Sequence, residues 1–274
     1  MLYREVPPIP ELAPYVECIW MLRCPAQPHS APQPVLPDGC TELVIHCGDP
    51  FRRFDASGRS ELQPRFILAG QMLSPVYLQP TGIADCVGVR FRSEASAFLL
   101  GTPVSEFTGE AVDLALLDRD LAGELDTVAS ASEDQRVELL GYLLLRRLRT
   151  ARLDPAVSAA VRRIRRQRGL EPVAALCSSV GTSQRELERR FAVHVGLSPK
   201  RLARLVRFQS FLRAASTGNA ASLVQLALEH GYYDQAHLVH EFRALGGRPP
   251  AALLESMESL TRAFCRTSVF YKTA

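Results

Sequence analysis

A segment near the C-terminus occurs twice, and this repeat constrains the fold more than any other feature of the 274 residues. The first copy reads Leu176-Cys-Ser-Ser-Val-Gly-Thr-Ser-Gln-Arg-Glu-Leu-Glu-Arg-Arg-Phe191 and continues to Gly196-Leu-Ser-Pro199. The second reads Leu226-Ala-Leu-Glu-His-Gly-Tyr-Tyr-Asp-Gln-Ala-His-Leu-Val-His-Glu-Phe242 and continues to Gly247-Arg-Pro-Pro250. Leu187, Phe191, Gly196 and Pro199 align with Leu238, Phe242, Gly247 and Pro250 at one constant offset, and Leu176 and Gly181 align with Leu226 and Gly231 one position earlier. A duplicated helix–turn–helix accounts for the pattern.

Each copy holds the parts such a unit needs. In the first, Val173–Ser179 forms a short positioning helix with small Cys177 where helices cross, matched by Ala227 in the second. Gly181 supplies the turn because glycine reaches positive φ without steric cost. Ser183 caps the next helix, and Glu186 three residues later completes a capping box. Leu187 and Phe191, at i and i+4, point inward, leaving Gln184, Arg185, Glu188 and Arg189 toward a groove. In the second copy Gly231 turns the chain, Asp234 caps the helix, and Leu238 and Phe242 are buried. Gln235, Ala236, His237, Val239 and His240 then face outward. Arginine can fork to guanine, glutamine can pair with adenine, and alanine or valine suits a thymine methyl. Arg189 and Gln235 are therefore the first choices for base readout.

Between the copies, Ser198-Pro199 starts a helix reaching about Ala215, with Leu202, Leu205, Val206, Gln209 and Leu212 on one face. Such a rod, about 25 Å long at 1.5 Å per residue, suits two recognition helices about 34 Å apart in successive major grooves. Upstream, Asp154-Pro155 opens a helix whose buried stripe is Val157, Ala160, Val161 and Ile164 and which ends at Gly169. Arg162, Arg163, Arg165, Arg166 and Arg168 occupy its remaining surface, as a solvated face or as phosphate contacts.

Charge divides along the chain. Residues 1–150 carry 13 basic and 20 acidic side chains (−7), and residues 151–274 carry 19 and 9 (+10), so the C-terminal half suits a polyanion.

With these elements in place, the chain resembles the AraC/XylS family of bacterial transcription regulators over about residues 155–255. The matching motifs are L-C…G-x-S-x-R-x-L-x-R-x-F…G-x-S-P and L-A…G-Y-x-D-x-x-H-L-x-x-x-F…G-x-x-P. The resemblance implies a seven-helix domain reading adjacent grooves of a promoter. Its groove-facing positions fall on Arg185, Glu188 and Arg189, then on Gln235, Ala236, Val239 and His240. His240 stands where the family commonly has arginine.

Residues 1–110 read as short strands. Cys40–Cys47 alternates, with Thr41, Leu43, Ile45 and Cys47 on one side and Glu42, Val44 and His46 on the other. Further runs at Phe66–Ala69, Val76–Leu78 and Cys86–Phe91 point to a small β-barrel or sandwich. From Ala95 the pattern turns helical, through Phe98–Leu100 and Val112–Leu121. A longer amphipathic helix spans Ser132–Thr150, packed on its own domain or serving dimerisation. Leu36-Pro-Asp-Gly39, Gly88-Val-Arg-Phe91 and Phe98-Leu-Leu-Gly101 look like the uncharacterised β-rich domain often fused to this DNA-binding domain. Arg90, Arg92, His46 and Trp20 are either pocket-lining or structural.

The expected class is α+β, with three segments: an effector-sensing or dimerisation domain (1–150), a double helix–turn–helix (151–258), and a tail (259–274) containing Phe264, Phe270 and Tyr271. Arg149–Leu153 is the expected hinge. Expected partners are double-stranded DNA, RNA polymerase, an unidentified small-molecule effector and a second copy of the chain. No signal peptide or membrane span is indicated, which points to the cytoplasm. The seven cysteines form no C-x-x-C pair and no zinc-spaced cluster, so no catalytic, metal or cofactor site is expected. A DNA-alkylation repair enzyme would need such a cluster. An architectural binder would need no sequence preference, and that alternative stays open.

Overall fold

The structure is a computed structural model describing residues 2–26, 31–55, 57–148, 152–216 and 223–256. The expected hinge lies partly outside these residues, and the tail from 259 wholly outside. Its strands are β1 (Leu2–Val6), β2 (Val16–Cys24), β3 (Gln33–Val35), β4 (Glu42–His46), β5 (Phe51–Phe54), β6 (Ser60–Leu62), β7 (Phe66–Ala69), β8 (Val76–Pro80), β9 (Ala84–Phe91) and β10 (Ala111–Asp113). They form two antiparallel sheets, ordered β1-β2-β9-β4-β7-β10 and β3-β8-β5-β6. The sheets do not close on themselves, which corrects the barrel alternative.

Alternation decides what each face of the larger sheet meets. Leu43 and Ile45 of β4, with Ile19 and Met21 of β2 and Val87 and Val89 of β9, join one core. The helices α1 (Ala97–Leu100), α2 (Leu114–Leu117), α3 (Arg119–Ser130) and α4 (Glu133–Leu148) cover that face. Leu121 and Leu125 of α3 and Leu140 and Leu144 of α4 are fully buried in the same cluster, so α4 packs on its own sheet. The opposite face carries Cys18, Trp20, Leu22 and Cys86 toward Phe51 and Leu78 of the second sheet. Gly88 lies opposite Trp20 in the ladder, and a Cβ there would stand 2.3 Å from the indole, so glycine makes room for the ring. Residues Val112 and Asp113, expected in a helix, instead pair with β7 as part of β10, and helix begins at Leu114.

Seven helices make up the rest: α5 (Pro155–Arg166), α6 (Val173–Val180), α7 (Gln184–His194), α8 (Pro199–Ser216), α9 (Leu223–Glu229), α10 (Gln235–Gly246) and α11 (Pro250–Ser256) among the described residues. Asp154 caps α5 by accepting from the Ala156 and Val157 amides at 2.9 and 3.0 Å, with Pro155 at the first helical position. Helix α8 is buried on more than the expected face. Phe208 and Phe211 are fully buried beside Leu202, Leu205 and Leu212, so α8 is the axis around which the other helices pack.

The two parts meet along a polar seam. Leu36, from the turn before β4, inserts into the helical core. Gln209 of α8 donates to the Pro37 carbonyl at 2.6 Å, and Thr108 donates to the Gly196 carbonyl at 2.8 Å. Arg165 is half-buried rather than part of a solvated basic face. Its guanidinium donates to Ser93 Oγ at 2.8 Å and stands 4.0 Å from Glu17.

Glu17 is 5% exposed and accepts from the Cys40 thiol at 3.5 Å. Burial raises its carboxyl to about 7 against the opposing pull of Arg165 and Arg90. A folded-state value above the unfolded one favours the fold at low pH. The contribution is full below the unfolded value near 4.5 and is lost as pH rises through about 7. Its full size is about 3 kcal/mol. Glu17→Gln is expected to flatten the fall in thermal midpoint between pH 5 and pH 8. An equally steep fall in the variant would place the dependence on other groups.

Candidate DNA-binding surface

The first helix–turn–helix comprises α6 and α7. Gly181 ends α6 in the left-handed region at φ 65°, and the Thr182 amide returns to the Cys177 carbonyl at 3.2 Å. Ser183 Oγ then accepts from the Glu186 amide at 3.3 Å, so the cap forms as expected. The second half of the expected capping box does not form. Glu186 instead turns along its own helix, accepting from Arg189 at 2.8 and 2.9 Å and from Arg190 at 2.7 Å. Hydrogen bonds first from Arg189 and then from Arg190 hold its carboxyl down to about 2. Two arginines reachable at i+3 and i+4 outcompete one backbone amide because both attractions are between full charges.

Leu187 and Phe191 are fully buried, which turns Gln184, Arg185, Glu188 and Arg189 outward, all exposed. Gln184 donates to Glu188 at 2.9 Å. Arg189 is clamped by Glu186, whereas Arg185 makes no side-chain hydrogen bond or ion pair with any described residue. On this face Arg185 is thus the guanidinium without a described side-chain partner, and Arg189 is the one held by Glu186. Arg190 ties the recognition helix to its scaffold, donating to Asp154, the α5 cap, at 3.3 Å.

The second unit comprises α9 and α10. Gly231, at φ 70°, makes the turn, and Asp234 caps α10 by accepting from the His237 amide at 2.7 Å. Leu238 and Phe242 are buried, and Gln235, Ala236 and His240 are exposed, with Val239 partly so. His237 is not a freely outward residue. It is half-buried, its ring centroid lies 5.5 Å from that of Tyr232, and its Nδ1 accepts from the Tyr233 amide at 3.2 Å. That bond leaves Nε2 as the protonated, donating nitrogen. Two residues escaped the sequence reading. Arg243 is exposed one turn beyond Val239, a spacing that was there to be read, and Tyr233 is 89% exposed at the turn. No local pattern separates Tyr233 from its buried neighbour Tyr232.

The second unit is fixed to α8 by charge as well as packing. Arg204 forks onto Glu241 with bonds of 2.9 and 2.8 Å. Burial pushes the Glu241 carboxyl up, but the Arg204 hydrogen bonds and charge outweigh it and hold the carboxyl below its usual range. Arg207 donates to the Gly231 carbonyl at 3.2 Å and lies over the Tyr232 ring at 5.5 Å. Exposed Arg162, Arg166, Arg168, Lys200, Arg201 and Arg248 add positive charge to the helical part, while Arg163 is bound by Glu171 at 2.5 and 2.6 Å. Among the described residues, no three His, Cys, Asp or Glu side chains gather as a metal site, and no helix is long and apolar enough to cross a membrane.

Residues 176–256 match the family model of a helix-turn-helix domain, and residues 4–113 match that of a domain of unknown function, DUF6597. The chain thus carries a helix-turn-helix domain toward its C-terminus, joined to an N-terminal domain of unknown function. Among solved structures, ToxT from Vibrio cholerae is similar at 10% identity, covering 88% of this chain and 98% of its own, with a TM-score of 0.45. ToxT bound to an unsaturated fatty acid gives 11% identity, 87% and 94% coverage, and a TM-score of 0.43. The AraC-like transcriptional activator CuxR gives 14% identity, 79% and 88% coverage, and a TM-score of 0.31. No curated protein sequence matches the chain.

Proposed function

We propose that this protein is a sequence-specific transcription regulator that places α7 and α10 in adjacent major grooves on one face of promoter DNA. The observation that carries the reading is the shared construction of the two helices. Each follows a glycine turn, is capped by Ser183 or Asp234, buries a Leu/Phe pair in one common core, and leaves its polar face open. The 18-residue α8 between them is about 27 Å long at 1.5 Å per residue. That length suits helices spaced by about one turn of duplex, 34 Å.

In this reading Arg185, Gln184, Glu188 and Arg189 face one groove, and Gln235, Ala236, Val239, His240 and the His237 Nε2 donor face the next. The caps Ser183 and Asp234 set each helix end against the backbone, and Arg243 contacts phosphate. Residues 151–258 act as the DNA-binding unit, and residues 1–150 impose control by a small-molecule effector or a second copy of the chain. RNA polymerase is the further partner such a regulator addresses.

Arg185→Ala is expected to weaken binding to the preferred site by about 1–3 kcal/mol and relax preference at one base pair. Binding to a set of single-base variants of that site measures both effects. A loss of equal size on every sequence would make Arg185 a phosphate contact. Equal affinity of the unaltered protein for random and promoter DNA at fixed salt would favour the architectural alternative instead.

A further inference from the structure

Between the two sheets lies a cavity of ≈ 400 Å³. Its walls are mainly apolar, from Trp20 and Leu22 on the larger sheet and Phe51, Val76 and Leu78 on the smaller. Of the charged side chains that line it, Glu110 is exposed and the other two are paired. Glu42 lies 2.7 Å from Arg90, and Arg53 lies 3.5 Å from Glu61. His46 is different. It is 2% exposed, its Nδ1 is 3.3 Å from Cys86 Sγ, and its Nε2 makes no well-aligned hydrogen bond, the Gln63 side chain being the polar group that reaches toward the ring. Burial lowers His46 to about 4 against the opposing effect of the Gln63 side chain, so the ring facing the cavity is neutral. A buried imidazole nitrogen without a well-aligned partner costs free energy that a ligand hydroxyl or carbonyl would recover.

The same walls touch both recognition helices from behind. Thr108 lines the cavity and donates to the Gly196 carbonyl, just past the end of α7. In β8, Val76 and Leu78 face the cavity while Tyr77, with Pro75, faces the other way. Both approach within 3.1 Å of the point where a Gly247 side chain would begin, at the end of α10. One strand's thickness therefore separates the cavity from the C-terminus of α10, and one side chain separates it from that of α7.

We propose that this cavity binds an uncharged, largely apolar small molecule bearing a hydroxyl or carbonyl, and that its occupant acts on both recognition helices through residues 72–77 and 104–111. The second half rests on the proposed regulatory function; the binding site itself does not. The size is ordinary for small-molecule sites, and an anion would meet no free cation among the described lining residues.

The chain's one tryptophan, Trp20, is itself in the wall, so its emission reports occupancy directly. Titrating the full chain with neutral N-phenyl-1-naphthylamine is expected to give saturable quenching of Trp20. The anionic 8-anilinonaphthalene-1-sulfonate should bind at least tenfold more weakly. Val76→Phe and His46→Phe fill the cavity from opposite sheets, and either folded variant should lose at least tenfold in affinity for the neutral probe. The site is overturned by unsaturable quenching or by unchanged affinity in a folded variant, and the charge selectivity by equal binding of the two probes. Coupling is read without DNA, by hydrogen exchange at the Gly196 and Gly247 amides. These bond to Phe191 and Arg243 carbonyls at the two helix ends. A change of threefold or more at both on adding the neutral probe supports the coupling, and no change at either overturns it. Because neither readout uses DNA, a failure of DNA binding would strike the regulatory reading and leave the cavity result standing.

Discussion

Phe242→Ala is expected to destabilise the helical part by about 3–5 kcal/mol, measured as a shift of the far-ultraviolet circular dichroism transition in urea. The Phe242 ring is fully buried, with centroids 4.8 Å from Phe208, 5.0 Å from Phe211 and 6.4 Å from Tyr232. Edge-to-face contacts of this kind add to the transfer free energy of the ring itself. Three of its neighbours are rigid aromatic rings, two of them on the central α8, so the cavity left by alanine cannot collapse easily. A loss of this size is a large share of the roughly 5–15 kcal/mol that holds an ordinary domain together. Phe191, the equivalent residue of the first unit, is also fully buried and should behave alike. A loss below about 1 kcal/mol would mean that the second unit is not built into the core it shares with the first.

Arg90→Met is expected to cost the β-rich part about 3–5 kcal/mol, because breaking a buried ion cluster leaves uncompensated charge. Arg90 is 1% exposed near the C-terminal end of β9. It lies 2.7 Å from Glu42, 3.5 Å from Asp38 and 3.4 Å from Glu5. Burial already raises the Glu42 carboxyl, and Arg90 is the main force opposing that rise. Without the guanidinium the carboxyl rises further, so the variant should recover part of its stability as pH falls and Glu42 is protonated. Thermal unfolding at several pH values tests the sign. Adding Glu42→Gln to Arg90→Met should then return part of the loss. Strict additivity of the two substitutions would show that the pair does not interact.

The parts of this molecule that the sequence announces are those whose signals are local. Gly181 and Gly231, the caps Ser183 and Asp234, and the Leu/Phe pairs each obey a rule spanning at most five residues, and all stand where expected. Strand β4 was legible for the same reason, since only one of its faces meets the helices and its alternation survives. Strand β2 is buried on both faces, so Ile19, Trp20, Met21 and Leu22 form an unbroken apolar run with no period to read. The seam was hidden more deeply. Nothing near Arg165 distinguishes it from its arginine neighbours, because its partners Ser93 and Glu17 are remote in sequence. The same holds for Leu36, which lies among strands and packs among helices. At the candidate site the outward residues other than His237 were predictable from which ones are buried. The clamp of Glu186 on Arg189 was not, since a capping box and an i,i+3 ion pair compete for one carboxylate.

The central claim is that two helices of one chain read two consecutive grooves. It is tested most directly by methylation interference on the promoter site, repeated after inserting five base pairs between its halves. Two patches of interference about 10 base pairs apart on one face are predicted, with affinity falling at least tenfold when the insertion turns one half away. A single patch, or affinity unchanged by the insertion, would contradict the account.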